Sequence, residues 1–410
     1  MAEVFDYGII GGGPAGYTVG MMLSKQGKKV VLFEKDKLGG TCLNKGCIPT
    51  KSFLHSSDVY AELLKGSAIG ISAENLSVDF SKVCEKKNTT VERIRKSLEL
   101  AVKNSGVNVV YSEACIKDDN TIIASDSEYK VKEIILATGS KARELKGLEF
   151  DGEFILSSDD VLELTELPKS ILIVGSGAIG IEWARIFSNF GVEVSVVEMA
   201  EHLIPLADIE VSKRIERIFK QKKLPFYLND YVEKIENKVV TLHSGKVLTP
   251  EKILVAVGRV PVCPKCSINS IIGDACGEIQ LAHYAIHQAK ALALGIPFDK
   301  NLVPSVIYGE PEIAWVGKRE QDIDETYQKT MLPITALGKA WCDDATDGFI
   351  KLIVKNDKIY GAHIVSREAS SLIHILLTAI QNNIPISELK KMCFAHPTYA
   401  EGIFDMLSAL

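Results

Sequence analysis

The chain repeats itself once, at long range. Tyr7-Gly8-Ile9-Ile10-Gly11-Gly12-Gly13-Pro14-Ala15-Gly16 is echoed by Ile171-Leu172-Ile173-Val174-Gly175-Ser176-Gly177-Ala178-Ile179-Gly180, at an offset of 164 residues that also carries Gly27 onto Gly191 and Glu34 onto Glu198. In each copy an apolar strand enters a Gly-x-Gly-x-x-Gly turn and a helix with apolar spacing follows. A second β-rich run, Val30 to Phe33 or Val192 to Val197, then ends in the acid. One such turn is no more than a strand-to-helix connection. Two in register, each with its acid 23 residues past the first glycine, specify a pair of dinucleotide-binding βαβ units.

In such a unit Gly11 and Gly175 permit the tight turn, Gly13 and Gly177 let the backbone approach a pyrophosphate, and Gly16 and Gly180 let helix and strand pack closely. The helix amino terminus then turns unpaired N–H groups toward the phosphates. Glu34 and Glu198 are placed to accept hydrogen bonds from a ribose diol, and a carboxylate at 198 repels a 2′-phosphate, which favours NAD over NADP at the second site. Each copy closes on a buried-strand pattern, Glu133 to Gly139 and Lys252 to Gly258. From Glu34 to Ala137 the first copy runs 103 residues, against 58 from Glu198 to Ala256, so the first holds something besides nucleotide binding.

With 410 residues, 46% of them hydrophobic, the chain is long enough for two or three domains with large cores. A net charge of -6 and the lack of a Lys/Arg run argue against a partner made of nucleic acid or an anionic membrane. No apolar run reaches the roughly 20 residues a bilayer crossing needs. The amino terminus shows no basic segment followed by an apolar signal core, so a cytoplasmic location is expected. Nine cysteines, an odd number scattered along the chain, do not describe a secreted disulfide framework.

The extra length of the first copy begins with Gly39-Gly40-Thr41-Cys42-Leu43-Asn44-Lys45-Gly46-Cys47-Ile48-Pro49-Thr50-Lys51, before a helical pattern over Ser52 to Leu64. Cys42 and Cys47 are five apart; on a helical start that spacing can bring two sulfurs within bridging range, and a helix amino terminus stabilises a thiolate. Read alone, the pair is open to two accounts: buried structural thiols, or a redox couple. Near the carboxy terminus His396 has Glu401 five residues on. A histidine beside a proline is often structural, yet a carboxylate on its ring would fix the tautomer and raise its basicity for proton transfer.

Taken together these motifs resemble the flavin disulfide reductases, and among them the dihydrolipoamide dehydrogenases. The resemblance runs from Tyr7 to about Leu407. It rests on the two glycine turns, the cysteine motif at 39 to 51, Ala-Thr-Gly-Ser at 137 to 140, Gly-Arg-Val-Pro at 258 to 261, Ile-Gly-Asp-Ala at 272 to 275 and His-Pro-Thr-Tyr-Ala-Glu at 396 to 401. It implies an α/β fold of two Rossmann-like domains and a carboxy-terminal α+β dimerisation domain. Residues 1–145 and 258–302 would form the FAD domain, 146–257 the NAD domain and 303–410 the interface, with Trp315 and Trp341 in its core or contact face.

The resemblance further implies FAD in the first unit, with Thr41, Thr138, Gly139, Ser140 and Gly258 around it and Asp274 at the ribityl and phosphate region, helped by Gln280, Leu281, Ala282 and His283. Lys51 and Glu182 would pair near the isoalloxazine. NAD would occupy the second unit. Cys42 becomes the interchange thiol of a redox disulfide and Cys47 the charge-transfer thiol, while His396, held by Glu401, is a base delivered from the partner of a homodimer. The implied reaction oxidises a dihydrolipoyl dithiol carried by a lipoyl domain of a 2-oxoacid dehydrogenase or glycine cleavage complex. A different NAD(P)H-dependent flavin disulfide reductase, or a non-catalytic flavoprotein scaffold, are the other readings.

The sequence departs from the family in three places. Only Val262 to Ile272 separates Gly-Arg-Val-Pro from the Gly-Asp motif, so a sheet segment is expected to be missing and FAD retention to be weaker. Ala114 stands where the family often has glycine, and the chain stops soon after Met406. The short stretch also carries Cys263 and Cys266, read as exposed loop thiols rather than half a metal site.

Overall fold

The computed structural model describes residues 4–264, 268 and 270–410, and Cys266 therefore lies outside the described residues. The chain divides into two compact units: 1–152 with 156–167 and 258–298, and 153–155 with 168–257 and 299–410.

The first unit is built on a six-stranded sheet in which Asn108–Tyr111, Val30–Glu34, Val4–Ile10 and Ser127–Leu136 lie side by side in parallel, with Thr121–Ala124 and Ala114–Asp118 added antiparallel at one edge. The period of the strands decides which face each residue buries. Ile9, Leu32 and Ile135, neighbours in register, face one core with Val19 and Leu23 of helix Pro14–Lys25 and Ala285 and Ala289 of helix Ala282–Leu294. Ile10, Val31, Phe33, Ile134 and Leu136 build the cores on the other side. Truncating any one of these to alanine is expected to cost about 2–5 kcal/mol.

The insertion of the first copy consists of helices Gly40–Lys45, Cys47–Lys65 and Phe80–Asn104. The long middle helix starts five residues before the expected Ser52, because Pro49 falls in its first turn, where a missing N–H breaks no helical bond. At the shortened junction Ile271 forms a parallel bridge with Leu136, and the Ile272 amide donates to the Leu136 carbonyl at 2.9 Å, so the described end of this stretch still reaches the sheet.

In the second unit Phe226–Tyr227, Glu193–Val197, Ser170–Val174 and Lys252–Val255 form a parallel sheet, the second βαβ copy, with helix Ala178–Asn189 crossing over. A separate antiparallel sheet runs Ser305–Ile307, Glu312–Gly317, Lys358–Ser366, Phe349–Lys355, Gln328–Pro333. Helix Ala369–Gln381 packs on it through Leu372, Ile373 and Leu376, all buried. Trp315 is half-buried in its strand, whereas Trp341 is 63% exposed. Among the described residues no helix is long and apolar enough to cross a membrane.

Candidate active site

The repeated glycines do the same work twice. Gly11 and Gly175 have φ of +107° and +99°, a region L side chains rarely adopt, and a Cβ on either would run into the carbonyl oxygen of Ala137 or Ala256 at 2.2 and 2.7 Å. A Cβ on Gly16 would sit 1.8 Å from the Gly11 oxygen, and on Gly180 2.0 Å from the Gly175 oxygen, so the helix can lie on the turn only without a side chain there. Gly13 and Gly177 are different. A Cβ on Gly13 meets no atom nearer than 3.7 Å and on Gly177 none within 4 Å, and each begins a helix with no side-chain cap. The first-turn amides are thus left for an anion, as a pyrophosphate requires.

The acids end the second strands and point back at these turns. Glu34 Oε2 accepts the Gly12 amide at 2.8 Å and its Oε1 the Asp36 amide at 2.8 Å. Glu198 Oε2 accepts the Ser176 amide and its Oε1 the Ala200 amide, at 2.8 and 2.9 Å. These donors fix the carboxylate plane while leaving acceptor positions for a ribose diol.

Cys42 lies in helix Gly40–Lys45 and Cys47 is the first residue of helix Cys47–Lys65. Their side chains are hydrogen-bonded to each other as thiols. That bond, then burial, pushes the Cys42 thiol far up, with the Lys51 ammonium pulling the other way. The Asn44 amide nitrogen donates to the carbonyls of Leu38 and Gly40, both at 3.1 Å, and so ties the cysteine helix to the glycine loop before it. Thr41 is half-buried one residue before Cys42.

The closing loops of the first unit meet at one chain of hydrogen bonds. Ser140 Oγ donates to Asp274 Oδ2 at 2.6 Å and accepts from Arg259 Nε at 2.8 Å. The same guanidinium gives Nη2 to the Ser140 carbonyl at 2.8 Å. Thr138 Oγ1 donates to the Val262 carbonyl, and the Gly273 amide donates to Gln288 Oε1 at 2.7 Å. Gly139 and Gly258, both at positive φ, turn the chain out of the strands. Gln280 and Leu281 lead into helix Ala282–Leu294, where Ala282 and His283 form the uncapped first turn. Arg259 is a member of this site that the sequence expectations do not include, although it follows Gly258 in Gly-Arg-Val-Pro.

In the second unit Glu182 is buried on helix Ala178–Asn189 and accepts the Tyr308 amide at 3.2 Å. His396 Nδ1 stands 2.7 Å from Glu401 Oε1. Glu401 Oε2 accepts the Thr398 amide at 2.8 Å, and that bond, with the imidazole second, holds the carboxyl below the usual carboxylate range.

Two family models cover this architecture: pyridine nucleotide-disulphide oxidoreductase over residues 5–269, and the dimerisation domain of the same family over 303–407. The chain belongs to the pyridine nucleotide-disulphide oxidoreductases. It is therefore an oxidoreductase, a flavoprotein whose cofactors are FAD and NAD, with a redox disulfide and a dimerisation domain. A dihydrolipoyl dehydrogenase of Bacillus subtilis is 32% identical over 460 residues, covering 98% of this chain and 97% of the relative. That alignment of 460 positions against 410 residues leaves at least 50 positions without a counterpart here. Among solved structures, LpdA from Mycobacterium tuberculosis superposes with a TM-score of 0.90 at 24% identity over 98% of this chain and 99% of that one, which speaks to the fold. The HOCl-induced flavoprotein disulfide reductase RclA from Escherichia coli gives 0.85 at 25% identity, over 98% and 99%.

Proposed function

We propose that this protein is a dihydrolipoyl dehydrogenase, oxidising a protein-bound dihydrolipoyl dithiol with NAD⁺ as final acceptor. The observation that carries the reading is the hydrogen-bonded pair Cys42 and Cys47 at two successive helix starts, in a chain that also supplies His396 with its ring oriented by Glu401. The curated relative named dihydrolipoyl dehydrogenase, matched over nearly its full length, supports the substrate.

In the oxidised enzyme Cys42 and Cys47 form a disulfide. His396 of the other subunit takes the proton from one substrate thiol, and the thiolate attacks the Cys42 sulfur. The Cys42–Cys47 bond breaks, a substrate–Cys42 bond forms, and Cys47 leaves as a thiolate, which its helix amino terminus stabilises. The second substrate thiol then attacks the sulfur bound to Cys42. The cyclic disulfide departs, and the two electrons remain on the cysteine pair. FAD, when bound, supplies the two-electron relay from this pair to the pyridine nucleotide.

The residues fit that cofactor: the side-chain-free approach at Gly13 and the diol acceptor Glu34 serve one nucleotide half, and Asp274 with Ser140 and Arg259 the other end. Thr41, Thr138, Gly139 and Gly258 complete its surroundings. Gln280, Leu281, Ala282 and His283 follow Asp274 in the same cofactor-binding set, to which Lys51 and Glu182 are also assigned. Gly175, Gly177, Gly180 and Glu198 take NAD. The chain works as a homodimer and meets lipoyl domains of a 2-oxoacid dehydrogenase or glycine cleavage complex.

Anaerobic mixing with dihydrolipoamide, then NAD⁺, tests the reading. A long-wavelength charge-transfer band followed by NADH is expected. Flavin that NADH reduces but dihydrolipoamide does not would instead favour a different disulfide substrate, the reading to which the RclA likeness points.

A further inference from the structure

The two nucleotide turns differ at one position that faces the ribose acid. Gly12 in the first becomes Ser176 in the second, and Ser176 is fully buried. Its hydroxyl donates to Glu198 Oε2 at 2.8 Å, beside the bond from its own amide, and accepts the Ile204 amide at 3.1 Å. We infer that Ser176 is the positioning residue for nucleotide selectivity at the second site, fixing the Glu198 carboxylate and, through Ile204, the 199–208 loop beside it. The inference deepens the proposed function and rests on its assignment of the second site to NAD.

Three observations carry it. Ile204 is a buried β-branched residue at φ +54°, a conformation that persists only where its surroundings impose it. The imposing bonds are the Ser176 hydroxyl on its amide, and the Ala207 amide and Ser212 hydroxyl on its carbonyl at 2.9 and 3.4 Å. The far end of the loop is held as firmly: Arg319 Nη1 donates to the Leu206 carbonyl at 3.2 Å and Gln321 Nε2 to the Ala207 carbonyl at 2.8 Å. Ser176 thus joins the anchored loop to the carboxylate at Oε2, as the Ala200 amide does at Oε1.

The loop itself, Met199-Ala200-Glu201-His202-Leu203-Ile204-Pro205-Leu206-Ala207-Asp208, has no Lys or Arg to answer a 2′-phosphate. With three donors on Glu198, Oε2 is filled and Oε1 keeps one acceptor position, so the acid is presented in a single orientation. A nucleotide bearing a 2′-phosphate meets a carboxylate that cannot turn away. The first copy has no such device, since a Cβ on Gly12 would lie 2.6 Å from Leu38 Cδ2 and 2.9 Å from Glu34 Oε2. The asymmetry matches the chemistry: FAD stays bound, whereas a pyridine nucleotide exchanges each turnover and must be told from its phosphorylated twin.

The test uses the FAD-loaded enzyme, wild type, Ser176→Ala and Ser176→Thr, with NAD⁺ and NADP⁺ binding measured by titration calorimetry and NADH-dependent ferricyanide reduction followed in parallel. Ser176→Ala is expected to weaken NAD⁺ about tenfold and NADP⁺ less, lowering the preference ratio, with KM for NADH raised and kcat little changed. Ser176→Thr, which keeps the hydroxyl, restores the ratio. Unchanged NAD⁺ affinity and ratio in Ser176→Ala overturns the inference. Should that variant not fold, Ser176→Cys, nearly isosteric and a far weaker donor, is read by the same criterion. A wild type that does not prefer NAD⁺ to NADP⁺ would instead refute the assignment of the site, a result separate from any Ser176 effect.

Discussion

The His396 imidazole and the Glu401 carboxylate are joined at 2.7 Å, with the second carboxylate oxygen occupied by the Thr398 amide. Glu401 cannot rotate away without losing that amide, so the ring is held in one orientation, as the proposed role of His396 as a base requires. Glu401→Gln is expected to lower turnover of dihydrolipoamide about 10- to 100-fold, and His396→Gln further, with flavin content unchanged. The sign with pH follows from the lowered carboxyl pKa: Glu401 stays ionised through the working range, and its hold on His396 is lost only as pH falls through that depressed value. Steady-state kcat across pH for both variants checks this, and equal turnover in Glu401→Gln would sink the pairing as a catalytic device.

Cys42 and Cys47 differ in how their thiols are held. The Cys42 thiol is pushed up, first by its hydrogen bond to Cys47 and then by burial, which supports the proposed assignment of Cys47 as the charge-transfer thiol. Cys42→Ser should keep a long-wavelength charge-transfer band without added reductant, whereas Cys47→Ser should lack it; both should lose more than about 99% of dithiol turnover, as removal of a nucleophile does. Absorbance spectra of the two purified variants decide it. The band appearing in Cys47→Ser would reverse the roles.

The glycine turns and their acids were legible because each is a local pattern, with spacing set by one strand, one turn and one helix. The cysteine pair was legible for the same reason, though the helix starts at Cys47 and not at Ser52, since the sequence alone does not show that Gly46 ends one helix as the next begins. The Arg259–Ser140–Asp274 chain was not legible as an arrangement. Its members stand 119 and 134 residues apart, and only the folded sheet brings their loops together. Ser176 is hidden differently, at the variable position of a motif that only the glycines define.

The Arg259 guanidinium holds Ser140 at both its hydroxyl and its carbonyl, and Ser140 in turn holds Asp274. Removing the cation frees the loops that carry Ser140 and Asp274, which are proposed to hold FAD, at once. Arg259→Met is therefore expected to raise the FAD dissociation constant by about one to two orders of magnitude, the cost of losing a charge-assisted, partly buried bidentate contact. The ratio of flavin to protein absorbance after dialysis reports this. Full flavin retention in Arg259→Met would shift the weight to the 262–272 junction.

Asp208 caps helix Ile209–Gln221, accepting the Glu210 amide at 3.0 Å, and also accepts Lys351 Nζ at 2.6 Å and the Glu320 amide at 2.7 Å, with His363 Nε2 3.7 Å away. Aspartate, lysine and histidine are all buried. Burial raises the Asp208 carboxyl, but His363, Lys351 and the two amides outweigh it and leave it lowered; burial also lowers His363, against the pull of Asp208 and of the Lys318 carbonyl. Lys351→Met would strand the carboxylate and is expected to cost about 3–5 kcal/mol, while the double change with Asp208→Asn should cost less than the sum. Both pKa shifts give the same sign. Asp208 stabilises above the unfolded carboxylate value and loses its contribution as pH falls through its folded value. His363, favoured neutral, starts to destabilise the fold as pH drops below about 6.5, the value it has when unfolded. Urea unfolding at a series of pH values should thus show stability falling on the acid side of about 6.5, and His363→Gln should flatten the first part of that fall. A single Lys351→Met change costing less than 1 kcal/mol would mean that the buried aspartate takes up a proton and needs no partner.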